Sequence, residues 1–379
     1  MKEKFSLKDE LFNPLKVRKI SAEIRAAYND FDTDSFEVQV VECFPELELK
    51  ERIYHIAHTL TIHLPSDYRE ATTILLESLP APLDSSKSDD DFGDFIYAPY
   101  AEFVRLHGCS DEYLEFSLQA LGQISQRFSV EFAIRDFINH FPSQTLDMLL
   151  ECSLSTNYHL RRLASEGLRP KLPWAKKLTI DYHLTLTHLD NLYYDPTRYV
   201  TRSVANHLND ISKLNPTLVI ETLKRWRDTK KQTNSEMEYI ITHSLRSLVK
   251  QGDSDALALL GYPNNPDIEV SRLGLNTQHI TIGDALLFDF TLIAREECKL
   301  IIDYIIYFKT KTKKESPKVY KIKKLTLQKD EKITIEKRHP FKANMSTRKL
   351  QEGEHHIALQ INGIIYAKES FMLESQDEL

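Results

Sequence analysis

Hydrophobic and polar positions follow two different periods along this chain, and the change falls near residue 261. Before it, apolar residues recur every three or four positions, as in 72–79 (TTILLESL), 113–124 and 132–141, with proline-containing breaks at Pro80, Pro142 and Pro170. That spacing predicts helices nearly throughout. Three later helices share one apolar phase: 160–166 (LRRLASE), 200–206 (VTRSVAN) and 241–247 (ITHSLRS), at offsets of 40 and 41. A period of ~40–47 residues with two or three helices per unit is the signature of HEAT/armadillo-type solenoids. Each unit buries its apolar face only against its neighbours, so one helix of each pair is expected along a concave surface. The register is loose in the first hundred residues, and no repeat count follows from it. The acidic, serine-rich stretch 85–94 (SSKSDDDFGD) reads as a solvated loop.

After the turn-rich segment 261–267 (GYPNNPD) the period drops to two. Alternating β-branched, aromatic and polar residues at 287–292, 300–308, 319–327, 332–335, 355–361 and 364–371 predict six or seven short strands. An immunoglobulin-like antiparallel β-sandwich fits that count. The expected fold is mainly α: a HEAT-like α-helical repeat solenoid over 1–262, then an immunoglobulin-like sandwich over 263–379. Cys298 is the one cysteine of the second part, which excludes an intersheet disulfide there.

Composition narrows the function classes. Hydrophobic residues make up 41% of the 379 residues and charged residues 28%, an ordinary globular balance. The N-terminal segment lacks an apolar signal-peptide core, and no run approaches the ~18–20 apolar residues of a membrane span. Cys43, Cys109, Cys152 and Cys298 are scattered without a CxxC, and neither a P-loop nor a zinc-deaminase motif occurs. A cytoplasmic protein without metal or nucleotide cofactor is expected. The net charge of −7 hides an asymmetry: residues 268–379 carry 19 Lys+Arg against 16 Asp+Glu, the rest 30 against 40. Any nucleic-acid role must then rest on a local basic surface.

One such surface is 159–177 (HLRRLASEGLRPKLPWAKK), with six basic residues around a single acid, Glu166, read as mid-helix. Arg161, Arg162, Arg169 and Lys171 belong to it, and Trp174 follows a rigid turn set by Pro170 and Pro173. A basic cluster of this kind serves a solvated face as well as a ligand site. Upstream, Glu131 falls in an apolar helical pattern; downstream, Arg198, Arg202, Asn206 and Asp210 share one helix. Asn206 and Asp210 are four apart, hence on one face, and Asn206 holds the repeat position of Glu166. Successive units of a solenoid would bring Glu131, Glu166 and Asn206/Asp210 toward one groove, unless these residues only cap helices and solvate a surface.

The phrases QRFSVEFAIRDF, HLRRLASEGLRPKLPWA, YVTRSVANHLNDISKLNP and HSLRSLVKQGDSDALALLGY, with the opening LKDELFNPLKVRKISAEI, resemble the AlkC-type DNA alkylation-repair glycosylases. These are bacterial HEAT-like repeat enzymes related to the AlkD type. The resemblance runs in order through residues 1–267, and the β-domain is similar to the immunoglobulin-like appendage of some members. Asp136 departs from it, standing where the family has proline. The resemblance implies hydrolysis of the N-glycosidic bond of cationic alkylated bases, especially 3-methyladenine and also 3-methylcytosine, in double-stranded DNA. It implies no deep base-flipping pocket. With no lysine placed as a Schiff-base nucleophile, a monofunctional base-excision-repair enzyme is expected, with no obligate protein partner. Catalysis is then assigned to Glu166, with Glu131 and Asp210 as charge partners. Trp174 and Asn206 would meet the lesion, and Arg161, Arg162, Arg169, Lys171, Arg198 and Arg202 would hold phosphates. The competing reading is a non-catalytic HEAT-repeat scaffold whose concave face binds a protein.

Lys309, Lys311, Lys313, Lys314, Lys318, Lys321, Lys323 and Lys324 crowd around an expected hairpin of the β-domain. They guard an edge strand against aggregation or add contacts to phosphates.

Overall fold

The computed structural model describes residues 6–84, 86, 92–312, 314–343 and 349–375. Of the loop expected at 85–94, Ser86 and 92–94 are among them; Lys313 lies outside the described residues. The chain divides into two compact units, Met1–Leu214 with Arg225–Ser244, and Asn215–Lys224 with Leu245–Leu379.

The first unit is built of helices in two rows. In one row Leu49–His63 packs on Ala98–Gly108, which packs on Ile134–His140; Tyr158–Glu166 packs on Arg198–Ser212, which packs on Asn234–Ser244. The three helices matched at offsets of 40 and 41 are thus consecutive members of this row. The other row includes Pro14–Ala27, Tyr68–Glu77 and Leu114–Ser125, then Pro142–Ser153 against Leu186–Leu192. Burial follows the apolar stripe: on Arg198–Ser212 the side chains of Val200, Val204, Leu208 and Ile211 are closed off from solvent. Helix starts are set by side-chain caps. Asn13 accepts from the Lys16 amide at 3.1 Å, Asp67 from Glu70 at 2.8 Å and Asn157 from His159 at 2.9 Å, each worth ~1 kcal/mol.

Two local expectations are corrected. Glu131 is not inside a helix: it lies in the turn just before Ile134–His140, where its carboxylate meets Ser129 and Arg162. Glu166 is not mid-helix either. It is the last residue of Tyr158–Glu166, and Gly167 caps the end. A Cβ on Gly167 would sit 3.0 Å from Ile134 Cγ2 and 3.1 Å from the Leu163 carbonyl oxygen, so the chain turns there against its neighbour. Asp136 lies in the first turn of Ile134–His140. It is buried between Arg105 at 2.8 Å and Lys176 at 2.6 Å.

The second unit carries β1 (Ile268–Val270), β2 (Gly274–Leu275), β3 (His279–Thr281), β4 (Ala285–Ala294), β5 (Cys298–Lys309), β6 (Glu315–Leu327), β7 (Lys332–Pro340), β8 (Gly353–Ile361) and β9 (Ile364–Glu374). One sheet centres on β4, paired with β7 on one side and with β1 and β2 on the other. The second runs β3-β9-β8-β5-β6, antiparallel except where β3 joins β9. Alternate residues of β4 (Leu286, Phe288, Phe290, Leu292) meet Leu300, Ile302, Tyr304, Ile306 and Phe308 of β5 in a single core. The six longer strands are those that alternation predicts. β1, β2 and β3, two or three residues each, are too short to show a period. β6 forms the free edge of its sheet, with Lys318, Lys321, Lys323 and Lys324 exposed along it.

Candidate active site

The row of helices in the first unit carries a chain of alternating charges. Arg162 NH1 lies 3.2 Å from Glu131 Oε2 and 2.9 Å from Ser129 Oγ, and its NH2 is 3.8 Å from Glu166 Oε1. Arg169 NH1 donates to Glu166 Oε1 at 2.6 Å, and its Nε to Asp210 Oδ2 at 3.0 Å. Lys213 stands 3.6 Å from the other oxygen of Asp210. The three carboxylates singled out by sequence are therefore joined, through two arginines, across segments far apart in the chain.

Glu166 has one further partner. Ser203 Oγ donates to its Oε2 at 2.6 Å and lies 3.0 Å from Ser165 Oγ. A hydroxyl carries one proton, and the carboxylate of Glu166, an acceptor only, is the stronger claim on that of Ser203. Glu166 is 5% exposed. Burial pushes its carboxyl up, but Arg162, Arg169 and the Ser203 hydroxyl outweigh burial and hold it below the usual range. Glu131 goes the other way: burial raises it, and the pull of Arg162 does not offset burial plus the repulsion of Glu166. Its contacts with Ser129 and Arg162 both fall on Oε2. Two neighbouring carboxylates with opposed proton affinities separate the work of a fixed charge from that of a proton acceptor.

The basic residues divide into two groups. Arg162 and Arg169 are turned inward onto carboxylates, and Arg162 lies 4.6 Å from the centroid of the Tyr199 ring. Arg161 is held by Asp195 at 2.5 Å and by the Ser155 and Thr156 carbonyls. A guanidinium this buried needs such partners, so the structure gives these three an internal task that the phosphate reading did not foresee. The spacing signals it: Arg162–Glu166 is an i,i+4 pair and Glu166–Arg169 an i,i+3 pair. Arg198 pairs with Glu236 at 2.8 Å and stacks 3.8 Å from the Tyr239 centroid. Lys171 is exposed and Arg202 half-buried. Asn206 Oδ1 meets His243 Nε2 at 2.9 Å.

Trp174 is 75% exposed and its backbone is left-handed, with φ 62°. That conformation is an outlier for a bulky residue, and strain of this kind collects at functional positions. Lys50 donates to its carbonyl oxygen from 124 residues away. Sequence reasoning missed that contact, and missed Arg135. Arg135 is 1% exposed and donates to three carbonyls of the segment after Glu166: Gly167 at 3.0 Å, Arg169 at 2.9 Å and Lys176 at 2.5 Å. Burial, then the like charge of Arg169, lowers it to about 10, so it stays protonated at neutral pH. A basic residue within a largely apolar run (FAIRDF) is the sign of it in the sequence.

Fold and site together define a helical-repeat protein with a charged carboxylate network and an appended immunoglobulin-like sandwich. Residues 269–375 match the family model described as uncharacterised protein YhaZ, C-terminal Ig-like domain. Uncharacterized protein YhaZ of Bacillus subtilis (strain 168) is 34% identical over 358 residues, spanning 93% of this chain and 96% of that protein. The solved structure of Pseudomonas fluorescens alkylpurine DNA glycosylase AlkC, bound to DNA containing an abasic site analog, is similar with a TM-score of 0.85 and 31% identity, over 98% of this chain and 100% of that one. The chain belongs to the YhaZ family, which is the AlkC type.

Proposed function

We propose that this protein is a DNA glycosylase of base-excision repair. It hydrolyses the N-glycosidic bond of cationic alkylated bases, 3-methyladenine and 3-methylcytosine, in duplex DNA. The observation that carries the reading is Glu166, a buried carboxylate kept ionised by two arginines and a serine in a chain similar over its whole length to an alkylpurine DNA glycosylase.

A base methylated on a ring nitrogen is cationic and leaves as a neutral molecule when the C1′–N bond breaks and takes the bonding pair with it. Positive charge then develops on the deoxyribose. A fixed anion in a partly desolvated site stabilises that charge without reorganising during the reaction, as carboxylates do for the oxocarbenium-like state of glycoside hydrolysis. Glu166 has this role. Water adds its oxygen to C1′, and Glu131, whose burial raises its proton affinity, takes the proton. Asp210 fixes Arg169, and Arg169 fixes Glu166. The product is an abasic site and free base, without a covalent enzyme intermediate. The exposed Trp174 ring faces the cationic nucleotide, and cation–π attraction contributes ~0.5–2 kcal/mol. Phosphates fall to Lys171, Arg198 and Arg202, which orient the duplex without reading its sequence. The base is cleaved in place rather than flipped into a deep pocket.

Incubation with randomly methylated duplex DNA, followed by chromatography of the released material, tests the reading. Free 3-methyladenine and 3-methylcytosine with alkali-labile sites in the DNA are expected. Methylated DNA recovered intact at stoichiometric enzyme contradicts it.

A further inference from the structure

A cleft of about 210 Å³ opens in the first unit beside the carboxylate network. Its walls are aromatic: Phe95, Phe128, Phe132 and the exposed Trp174. Phe95 and Phe128 meet with ring centroids 4.6 Å apart, and Lys50 Nζ stands 5.0 Å from the centroid of Phe132. The acids along the cleft are already neutralised within the protein: Glu102 and Asp136 by Arg105, and Asp136 also by Lys176. What remains is a mostly apolar slot with a few polar groups at its rim, the usual chemistry of a small-molecule site. Pockets for drug-sized ligands measure ~300–1,000 Å³. This one is smaller, which suits a single fused ring and not a nucleotide.

Ser129 ties the cleft to the site. It lines the cleft, and its hydroxyl accepts from Arg162 at 2.9 Å and donates to Glu131. Ser129 is thus common to the carboxylate network and the slot. Trp174, assigned above to the cationic nucleotide, also lines the cleft. Its left-handed backbone and the Lys50 contact hold the ring out of the core, at the cleft rather than packed beneath the surface.

We propose that this cleft receives the N-methylated purine base after its bond to the sugar has been cut. The proposal rests on the glycosylase reading above. The occupant is a neutral, flat, methylated heteroaromatic ring, which aromatic faces bind by stacking and apolar walls bind through the methyl group. A base held there is removed from the abasic sugar and slows the reaction as a product inhibitor.

The protein contains two tryptophans. Trp174 is 75% exposed and Trp226 is 1% exposed, so the emission lost on Trp174→Phe reports the cleft. Titration of the intact protein with free 3-methyladenine is expected to quench that component saturably, and 2′-deoxyadenosine to bind at least tenfold more weakly. Phe132→Ala should weaken 3-methyladenine binding by at least about fivefold, from loss of one stacking face. Phe132→Leu, which keeps apolar volume without a ring, should do the same if the alanine variant fails to fold. Excision from methylated DNA is measured on the same preparations. Excision without saturable quenching, or quenching unchanged in both Phe132 variants, overturns the product site and leaves the glycosylase reading standing. Quenching without any excision overturns the product role through failure of the glycosylase reading itself.

Discussion

Ser203 Oγ donates to Glu166 Oε2 across 2.6 Å, from the helix of the next repeat, 37 residues along the chain. The repeat architecture makes this bond, since consecutive helices of one row bring side chains about forty residues apart into contact. Ser203 is buried and backed by Ser165, so its hydroxyl has little freedom to turn away. Ser203→Ala is expected to slow excision about 10–100-fold, the worth of a hydrogen bond to a charged group. Without that donor the proton affinity of Glu166 rises, so the stability that Glu166 adds should be lost at higher pH on acidification than in wild type. An acid melting profile unmoved by Ser203→Ala contradicts the positioning role.

Arg135 pins the segment from Gly167 to Lys176, which carries Trp174, by three carbonyls. Arg135→Ala should cost at least ~3 kcal/mol, because charged hydrogen bonds are lost and the carbonyls are left buried. Arg135→Lys should recover little, lacking the planar fork that reaches several acceptors at once. Denaturant melts of the two variants check this. A lysine variant as stable as wild type contradicts it.

The two glutamates predict opposite dependences on pH. Glu166 is held below its unfolded value, so the stability it adds is present above about pH 4.3 and is lost as pH falls through its folded value. Glu131 is held above its unfolded value, so ionising it costs stability as pH rises past about 4.3, and that cost persists at neutral pH. Glu131→Gln is therefore expected to melt at or above the wild-type temperature at pH 7, with the gap closing below pH 4, while excision falls. A lower Tm at pH 7 than at pH 4, relative to wild type, contradicts this sign.

Trp174 contributes by contact rather than by proton transfer. Trp174→Ala should lower excision of cationic bases about 2–30-fold, the range of a cation–π contact, with a smaller loss on neutral lesions. Equal losses on both classes would leave Trp174 as a wedge or packing residue. Its exposure predicts no large change in Tm.

Periodicity exposed most of the architecture because burial enforces it. Val200, Val204 and Leu208 mark their helix at four-residue spacing, and Phe288, Phe290 and Leu292 mark their strand at two. Candidate carboxylates were legible for a related reason: a lone acid among arginines at i,i+3 and i,i+4 must pair locally. What stayed hidden depends on distance along the chain. Lys50 meets the Trp174 carbonyl 124 residues away, Arg135 binds backbone oxygens, and Ser203 carries no charge to draw notice. The turn that holds Glu131 was hidden too, because FAIRDF continues the helical pattern right up to it.

The central claim is that Glu166 acts as the fixed anion of a base-excision site. Single-turnover excision of 3-methyladenine from a defined duplex, comparing wild type with Glu166→Gln, tests it most directly. The account predicts a loss of at least about 10²–10³-fold, the cost of removing one preorganised electrostatic group, with affinity for undamaged duplex nearly unchanged. Near-wild-type excision by the glutamine variant would contradict it.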